Sequence, residues 1–163
     1  MEFGRRGIAL AMIALLLATP AAAQRVIDGD TIALNGTRYR LWGIDAPESR
    51  QSYHDGWPAG VEATHYLEQL MTSGPVQCED RGHDRYWRTI GLCKVTGQDL
   101  GILMVSAGMA WAFTRYSSDY ISQEKAAIGA YLGVHAHDCT KAWDWRRAFK
   151  QLSCASCPGL GST

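Results

Sequence analysis

The sequence has no net charge, and this absence narrows what the chain can bind. Lysine and arginine together number 16, and aspartate and glutamate also number 16. The whole chain therefore lacks the excess of positive charge that is typical of a nucleic-acid-binding domain. Any phosphate binding must come from a local cluster of basic side chains. Repeats and low-complexity segments are also absent, and 47% of the residues are hydrophobic, which favours one packed domain over a disordered chain.

The chain also lacks a hydrophobic run long enough to span a bilayer. The apolar segment at residues 7–19 falls short of the roughly 20 residues that a spanning helix needs. It follows Arg5 and Arg6 and precedes three alanines that end at Ala23, an order typical of a secretory signal peptide. We interpret residues 1–23 as a signal peptide that is removed. The mature protein is then expected to be periplasmic or secreted and free of the membrane.

The sequence has only five cysteines, and export would allow them to form disulfides. All five cysteines follow the signal segment, in a compartment where disulfides persist. Cys78 and Cys93 lie in two predicted strands, so a cross-strand disulfide is expected between them. An odd count leaves at least one cysteine unpaired or paired between chains. Cys154 and Cys157 form a CxxC pattern without a second pair to complete a zinc site, and a structural disulfide is favoured there.

The first half of the mature chain predicts a hairpin and a helix. Residues 31–34 and 37–44 have strand chemistry and flank Asn35-Gly36, the favoured dipeptide of a type I′ turn. Pro58 fits the first turn of a helix that runs to about Met71.

The second half predicts another hairpin and two more helices. Its strands are expected at residues 76–79 and 89–95, followed by a helix over 99–107 and a strand over 109–113. Ser118 and Asp119 can cap a third helix that runs to about Leu132, with Gly133 as its stop. No clear period appears after that helix. Early strands with interspersed helices and no βαβ rhythm predict an α+β fold with an antiparallel barrel.

Acidic residues crowd around the first hairpin. Asp28 and Asp30 precede it, while Asp45 and Glu48 follow it. Pairing across a two-residue turn places Asp30 on the same face as Asp45, but about 13 Å apart along the strand. They meet only if the sheet coils strongly, and a cation between them would relieve their repulsion. Oxygen ligands of this kind favour Ca²⁺ or Mg²⁺. Taken alone, each aspartate is more typical of a turn residue than of a metal ligand.

Two arginines accompany these carboxylates. Arg40 lies in the hairpin strand, and Arg88 ends the loop at residues 84–88. A guanidinium binds phosphate through two hydrogen bonds and stays charged at any working pH. On an isolated hairpin, pairing of Arg40 with a carboxylate for stability alone would be the preferred interpretation.

Three motifs, in this order and approximate spacing, resemble the staphylococcal nuclease (thermonuclease) family: DGDT at 28–31, RLWGIDAPE at 40–48 and DRYWR at 84–88. The resemblance runs from about residue 25 to residue 133. It implies a five-stranded OB-fold β-barrel with about three α-helices. The domains expected are the nuclease-like OB fold at 24–135 and a C-terminal tail with cysteines at 136–163, packed or partly flexible.

The resemblance also implies a role for each site residue. Asp30 and Asp45 would bind Ca²⁺ through carboxylates, and Ala46 through its backbone carbonyl. Glu48 would act as the general base or orient the attacking water. The remaining implied residues hold the substrate: the phosphate is bound by Arg40 and Arg88, and the nucleotide site is lined by Tyr86 and Tyr116.

The expected activity is calcium-dependent hydrolysis of phosphodiester bonds in DNA and RNA by a monomer, with little sequence preference and a 3′-phosphate product. Trp87 stands where the family commonly has glycine, and it could re-aim Arg88, narrow the cleft or offer a stacking surface. Ala46 replaces a threonine, and His135 stands where tryptophan is frequent. Two alternatives remain: a catalytically weak OB-fold nucleic-acid-binding module, and an exported structural protein whose charges stabilise turns.

Overall fold

The computed structural model describes residues 23–137 and 140–155. Its main sheet has six strands, and five of them follow one path in the order Gln24–Asp28, Thr31–Leu34, Thr37–Leu41, Thr89–Val95 and Val76–His83. The described strands pair along an open path, and helices are interspersed between them. The predicted α+β, OB-like fold is confirmed. Within the described ranges, no helix is both long and apolar enough to cross a membrane. The predicted signal peptide and the side chains of Cys139, Cys154 and Cys157 lie outside the described part.

The first three strands form the predicted hairpin and its neighbour. They are β1 (Gln24–Asp28), β2 (Thr31–Leu34) and β3 (Thr37–Leu41), all antiparallel in sequence order. Asn35 and Gly36 both have positive φ, 51° and 85°, as a type I′ turn requires. The turn sets the register, in which Leu34 lies opposite Thr37 and Thr31 lies opposite Arg40. The hairpin prediction is confirmed.

The second hairpin strand ends earlier than predicted. The chain turns at Gly43, where φ is +65°, and resumes as β4 (Ile44–Asp45) in a separate two-stranded sheet. Its antiparallel partner is β8 (Trp111–Ala112), shorter than the strand predicted over 109–113. A single strand over 37–44 was therefore wrong, because glycine at Gly43 permits a left-handed turn that redirects the chain.

The second hairpin consists of β5 (Val76–His83) and β6 (Thr89–Val95). Cys78 lies directly opposite Cys93, and the two form the predicted disulfide. β6 also pairs in parallel with β3. The last residues of β6 pair with the short antiparallel strand β7 (Gln98–Asp99). The parallel pairing joins the two hairpins into one sheet, and it places the start of β6 beside Arg40.

Three helices correspond to the predicted ones. They are α1 (Ala59–Met71), α2 (Leu100–Ser106) and α3 (Ile121–Gly129). Asp99 caps α2 by accepting a hydrogen bond from the backbone N–H of Gly101. The cap predicted for α3 was wrong: its N-cap is Tyr120, and α3 ends at Gly129. Gly133 instead begins a 3₁₀ turn, Gly133–His135.

A fourth helix, α4 (Ala142–Ala155), forms where no helix was predicted. The interpretation that this stretch has no clear period was wrong, because Ala142, Trp145, Phe149 and Leu152 recur three or four residues apart, as on one face of a helix. In its first turns, the described side chains that face the rest of the protein include Ala142, Trp143 and Arg146. Ala142 is fully buried in a small second core that also contains Tyr53, Trp111 and Val134.

The main core lies between the sheet and helices α1 and α2. It contains Ile32, Leu41, Leu67, Leu100 and Met104, each at most 2% exposed. Asp30 and Asp45 lie beside this core, next to or within its short strands. The rigid packing below them is what fixes their positions.

Candidate active site

Arg40 joins two of the predicted site residues. Its Nη1 lies 2.6 Å from Asp30 Oδ2, and its Nη2 lies 2.5 Å from Asp45 Oδ1. The turn at Gly43 brings Asp45 back toward Asp30, so both carboxylates reach one guanidinium. Burial lowers the pKa of Arg40, but the negative charges of Asp30 and Asp45 have the larger combined effect. The pKa of Arg40 is therefore raised overall. All three side chains therefore form one charged cluster.

The cluster carries more negative charge than Arg40 alone can neutralise. Asp45 is fully buried, and burial, the largest influence, raises its carboxyl pKa despite its guanidinium partners. Asp28 lies beside Asp30 and accepts a hydrogen bond from the Asp30 backbone N–H. Burial and the charge of Asp30 raise the pKa of Asp28 to about 6. The site thus keeps a deficit of positive charge that a cation would relieve.

The oxygen atoms suit a hard divalent cation. Oδ2 of Asp30 lies 3.4 Å from the backbone nitrogen of Ala46, so the two aspartates and the Ala46 peptide are close together. Among the described residues, no three His, Cys, Asp or Glu side chains form a metal-binding group. A site here would use two carboxylates, the Ala46 carbonyl and water, and these are ligands that Ca²⁺ accepts.

Glu48 is held by a residue that the sequence did not predict. Arg146 of α4 places Nη1 2.5 Å from Glu48 Oε1 and Nη2 2.7 Å from Asp45 Oδ2. Burial lowers the pKa of Arg146, but hydrogen bonding to Asp45 and Glu48 and their charges outweigh this effect and raise it. Arg146 is thus the second guanidinium in contact with the cluster.

Gln51 is a further residue that the sequence did not predict. It is 1% exposed, accepts a hydrogen bond from the backbone N–H of Glu48 and donates to the carbonyl of Thr140. It therefore connects the Glu48 loop to the start of α4. Nothing in the composition of the loop distinguishes it from an ordinary polar residue.

The β5–β6 loop carries Arg88, and Asp84 organises this loop. Asp84 Oδ1 accepts hydrogen bonds from the backbone N–H groups of Tyr86 and Arg88, and its Oδ2 accepts from Arg88 Nε at 2.7 Å. Burial raises the pKa of Asp84, but these hydrogen bonds outweigh it and hold it low. Arg88 is thus oriented by Asp84, away from direct contact with the carboxylate cluster.

Trp87 points outward from this loop. It is 84% exposed and has φ of +60°, a conformation unusual for a bulky residue. It does not line the cleft that contains Arg88, so of the three roles considered for it, narrowing the cleft is wrong. The aim of Arg88 is set by Asp84, and a stacking role for Trp87 stays a prediction.

A cleft of about 980 Å³ opens beside the cluster; Arg40 and Glu48 line it, whereas Asp30, Asp45 and Ala46 do not. Tyr86 and Tyr116, both exposed, lie on its walls, and Tyr116 packs on Phe113 with ring centroids 5.0 Å apart. Although the chain is neutral, basic residues outnumber acidic ones in the lining of the cleft. Its two acidic lining residues are Glu48 and Asp84, and its six arginines are Arg40, Arg85, Arg88, Arg115, Arg146 and Arg147. The local basic cluster that phosphate binding requires is present.

Comparison with known proteins gives a consistent result. A family model described as "Staphylococcal nuclease homologue" matches residues 38–133. A micrococcal nuclease from Shigella flexneri is 33% identical over 91% of this chain and 95% of its own length. An uncharacterised endonuclease from Haemophilus influenzae is 31% identical over 77% of this chain and 72% of its own length. Another, from Escherichia coli O157:H7, is 35% identical over 58% of this chain and 61% of its own length.

The family match covers more than half of the chain and ends before α4. It includes Arg40, Asp45, Glu48 and Arg88, and Asp30 lies a few residues before it. The fold, the motifs and the relatives agree, and the chain belongs to the staphylococcal nuclease family as a nuclease homologue.

Proposed function

We propose that this protein is a calcium-dependent nuclease that hydrolyses phosphodiester bonds in DNA and RNA with little sequence preference. The observation that carries the proposal is the cleft itself, whose wall contains six arginines and Glu48. One of these arginines, Arg40, also contacts the buried carboxylates of Asp30 and Asp45, which lie behind the lining. Such a wall attracts a phosphate backbone without reading base sequence. The exposed tyrosines offer stacking surfaces for bases of a flexible or single strand.

Asp30, Asp45 and the Ala46 carbonyl are the residues that would hold the divalent ion. When bound, such an ion neutralises phosphate charge and stabilises the charge that builds up during attack. Arg40 contacts the same two carboxylates, so this guanidinium would share Asp30 and Asp45 with a bound ion and could donate to a phosphate held beside it.

Glu48 is the proposed base. It accepts a proton from the attacking water, whose oxygen bonds to phosphorus as the bond from phosphorus to the 5′-oxygen breaks. The 5′-oxygen leaves as a hydroxyl after taking a proton from solvent, and the phosphate remains on the 3′ side. A positioned general base contributes about 10²–10⁴-fold to a rate. Arg40 and Arg88 donate hydrogen bonds to the phosphate oxygens, and donors of this type can each contribute about 3–4 kcal/mol to stabilising the transition state.

Cleavage after Ala23 would release a monomer to the periplasm or the medium, where calcium is accessible. An OB-like protein that bound nucleic acid without cutting it is the competing function. The presence of Glu48 in the cleft beside the carboxylate cluster favours the enzyme over that binding module.

Substitution of Glu48 tests the catalytic assignment. Glu48→Gln is expected to lower the rate of DNA hydrolysis by about 10²–10⁴-fold, with the melting temperature little changed because the side chain is partly exposed. Glu68→Gln, on the exposed side of α1, is the matched control and should hydrolyse DNA at the wild-type rate. Wild-type activity in Glu48→Gln would contradict the mechanism. Tight DNA binding by a wild-type protein that never cuts would establish the binding module instead.

A further inference from the structure

The C-terminal helix α4 contributes a guanidinium to the carboxylate cluster, although it lies beyond the residues that the family model matches. We propose that Arg146 is a positioning residue that holds the Glu48 carboxylate in its working orientation. This inference rests on the proposed function, because it gives Glu48 the role of base. It makes the C-terminal segment part of the active site.

Arg146 connects the partly exposed side chain of Glu48 to the buried side chain of Asp45. Glu48 has a 37% exposed side chain, and its carboxylate could otherwise take several rotamers. Asp45 is fully buried and is also held by Arg40. Nη1 of Arg146 contacts Glu48 and Nη2 contacts Asp45, so the planar guanidinium sets the separation of the two carboxylates. Lysine, which has a single ammonium group, could hold them less well.

The helix that carries Arg146 is itself anchored. Trp143 packs against Trp111 and Phe113, with ring centroids 6.2 and 5.7 Å away. Ala142, one turn before Arg146, is completely buried. These contacts fix the first turns of α4 on β8 and the residues that follow it. The position of Arg146 is therefore determined by packing as well as by its ion pairs.

The backbone of Glu48 is held from the same side. The amide of Gln51 donates to the Thr140 carbonyl at 2.7 Å, and its oxygen accepts from the Glu48 N–H at 3.2 Å. The C-terminal segment thus holds the Glu48 loop through Gln51 and the Glu48 side chain through Arg146. Two independent contacts to one residue favour a positioning role over incidental surface pairing.

Two other roles for Arg146 make different predictions. If it bound substrate phosphate directly, its loss would lower activity whether or not Glu48 were present. If it were an inhibitory plug that occupied the carboxylates, its loss would raise activity. Arg146 contacts the proposed base itself through Nη1, which Arg40 does not, and this direct contact favours positioning over phosphate binding.

A double-substitution experiment separates these roles. The full mature protein is compared with Arg146→Gln, Arg146→Lys, Glu48→Gln and the double variant, with kcat and KM for a single-stranded oligonucleotide measured in Ca²⁺. Because misplacement of a catalytic group by about 1 Å can cost about 10²-fold, Arg146→Gln is expected to lower kcat by about 10- to 100-fold with KM little changed. Arg146→Lys should recover part of the loss, and the double variant should be no slower than Glu48→Gln.

The control is Arg25→Gln, which removes the same charge from an exposed position on β1 away from the cleft. Equal kcat in Arg146→Gln and the wild type would overturn the inference, as would higher kcat in that variant. A further loss in the double variant would also overturn it and would indicate direct substrate contact. Each of these outcomes leaves the proposed function standing. A wild-type protein that hydrolyses nothing would end the proposed function and this inference with it.

Discussion

At the scale of single residues, the site is a set of charges that share partners. Asp45 contacts both Arg40 and Arg146, and Arg40 also contacts Asp30. Removal of one member leaves another buried and unpaired, so the effects of substitutions here are not additive. Such coupling explains why the pKa of Arg40 is raised although burial acts against it.

Asp28 gives this coupling a measurable pH dependence. Its pKa of about 6, against an ordinary 3.8, means that the folded state binds the proton more tightly than the unfolded chain. Its contribution therefore makes the protein less stable as pH rises from about 4 to about 6. We expect Asp28→Asn, unfolded by urea with a chelator present, to be more stable than the wild type at pH 7 by up to about 3 kcal/mol. This advantage should shrink at pH 4, and an advantage that grows toward pH 4 would contradict the assignment.

Trp87 has a backbone conformation that is unfavourable for a residue with a bulky side chain. A bulky L-residue in the left-handed region costs about 1–2 kcal/mol, and Trp87 has φ of +60°. Trp87→Gly is expected to raise the free energy of unfolding by roughly 0.5–1 kcal/mol, after allowing for the greater freedom of glycine in the unfolded chain. Trp87→Ala keeps the strain and is the control, so chemical denaturation should show no comparable gain. A gain as large in Trp87→Ala would exclude strain as the cause.

Several site residues could be predicted from the sequence, and others could not. The hairpin register aligned Asp30 with the strand that leads to Asp45, and the motif spacing placed Arg40 and Arg88 near them. Arg146 could not be found in this way, because it lies 98 and 101 residues from Glu48 and Asp45 along the chain. Only packing brings such distant residues together.

At the scale of elements, a short turn and a helix decide the geometry. The turn at Gly43 brings Asp45 beside Asp30, which a continuous strand would have kept about 13 Å away. The disulfide, the first hairpin and the positions of three helices followed from turn residues, strand chemistry and periodicity. Helix α4 was not predicted, although Ala142, Trp145 and Leu152 follow helical spacing, because Trp143 falls outside that spacing and obscures it.

The start of α1 supports the loop that carries Glu48. A Cβ added to Gly60 would lie 1.8 Å from the carbonyl oxygen of Glu48, so only glycine allows this approach. Gly60→Ala is expected to cost about 1–3 kcal/mol of stability and to lower kcat, because the loop must move. Thermal unfolding and DNA hydrolysis measure the two effects.

The matched control for this substitution is Gly129→Ala at the end of α3, where an added Cβ would meet nothing within 4 Å. Alanine has the higher helix propensity by about 1 kcal/mol, so this variant should be as stable as the wild type or more so, with unchanged kcat. Equal behaviour of the two alanine variants would show that the Glu48 loop does not depend on close contact with α1.

At the scale of the whole molecule, the distribution of charge matters more than its sum. The chain is neutral, yet six arginines line one cleft. The sequence total argued against nucleic-acid binding, and only the fold showed that the basic residues gather on one side. The C-terminal segment completes this side, since Arg146 and Arg147 belong to α4. A field concentrated in one cleft can attract a polyanion without a basic surface elsewhere.

The central claim is that the carboxylate cluster and the arginine-lined cleft make this protein a calcium-dependent nuclease. Its most direct test is the rate at which purified mature protein hydrolyses single-stranded DNA as Ca²⁺ is added and then removed by a chelator. We predict hydrolysis that appears with Ca²⁺, stops with the chelator and leaves fragments with 3′-phosphate ends. Hydrolysis that continues unchanged under the chelator, or no hydrolysis at any Ca²⁺ concentration, would contradict the account.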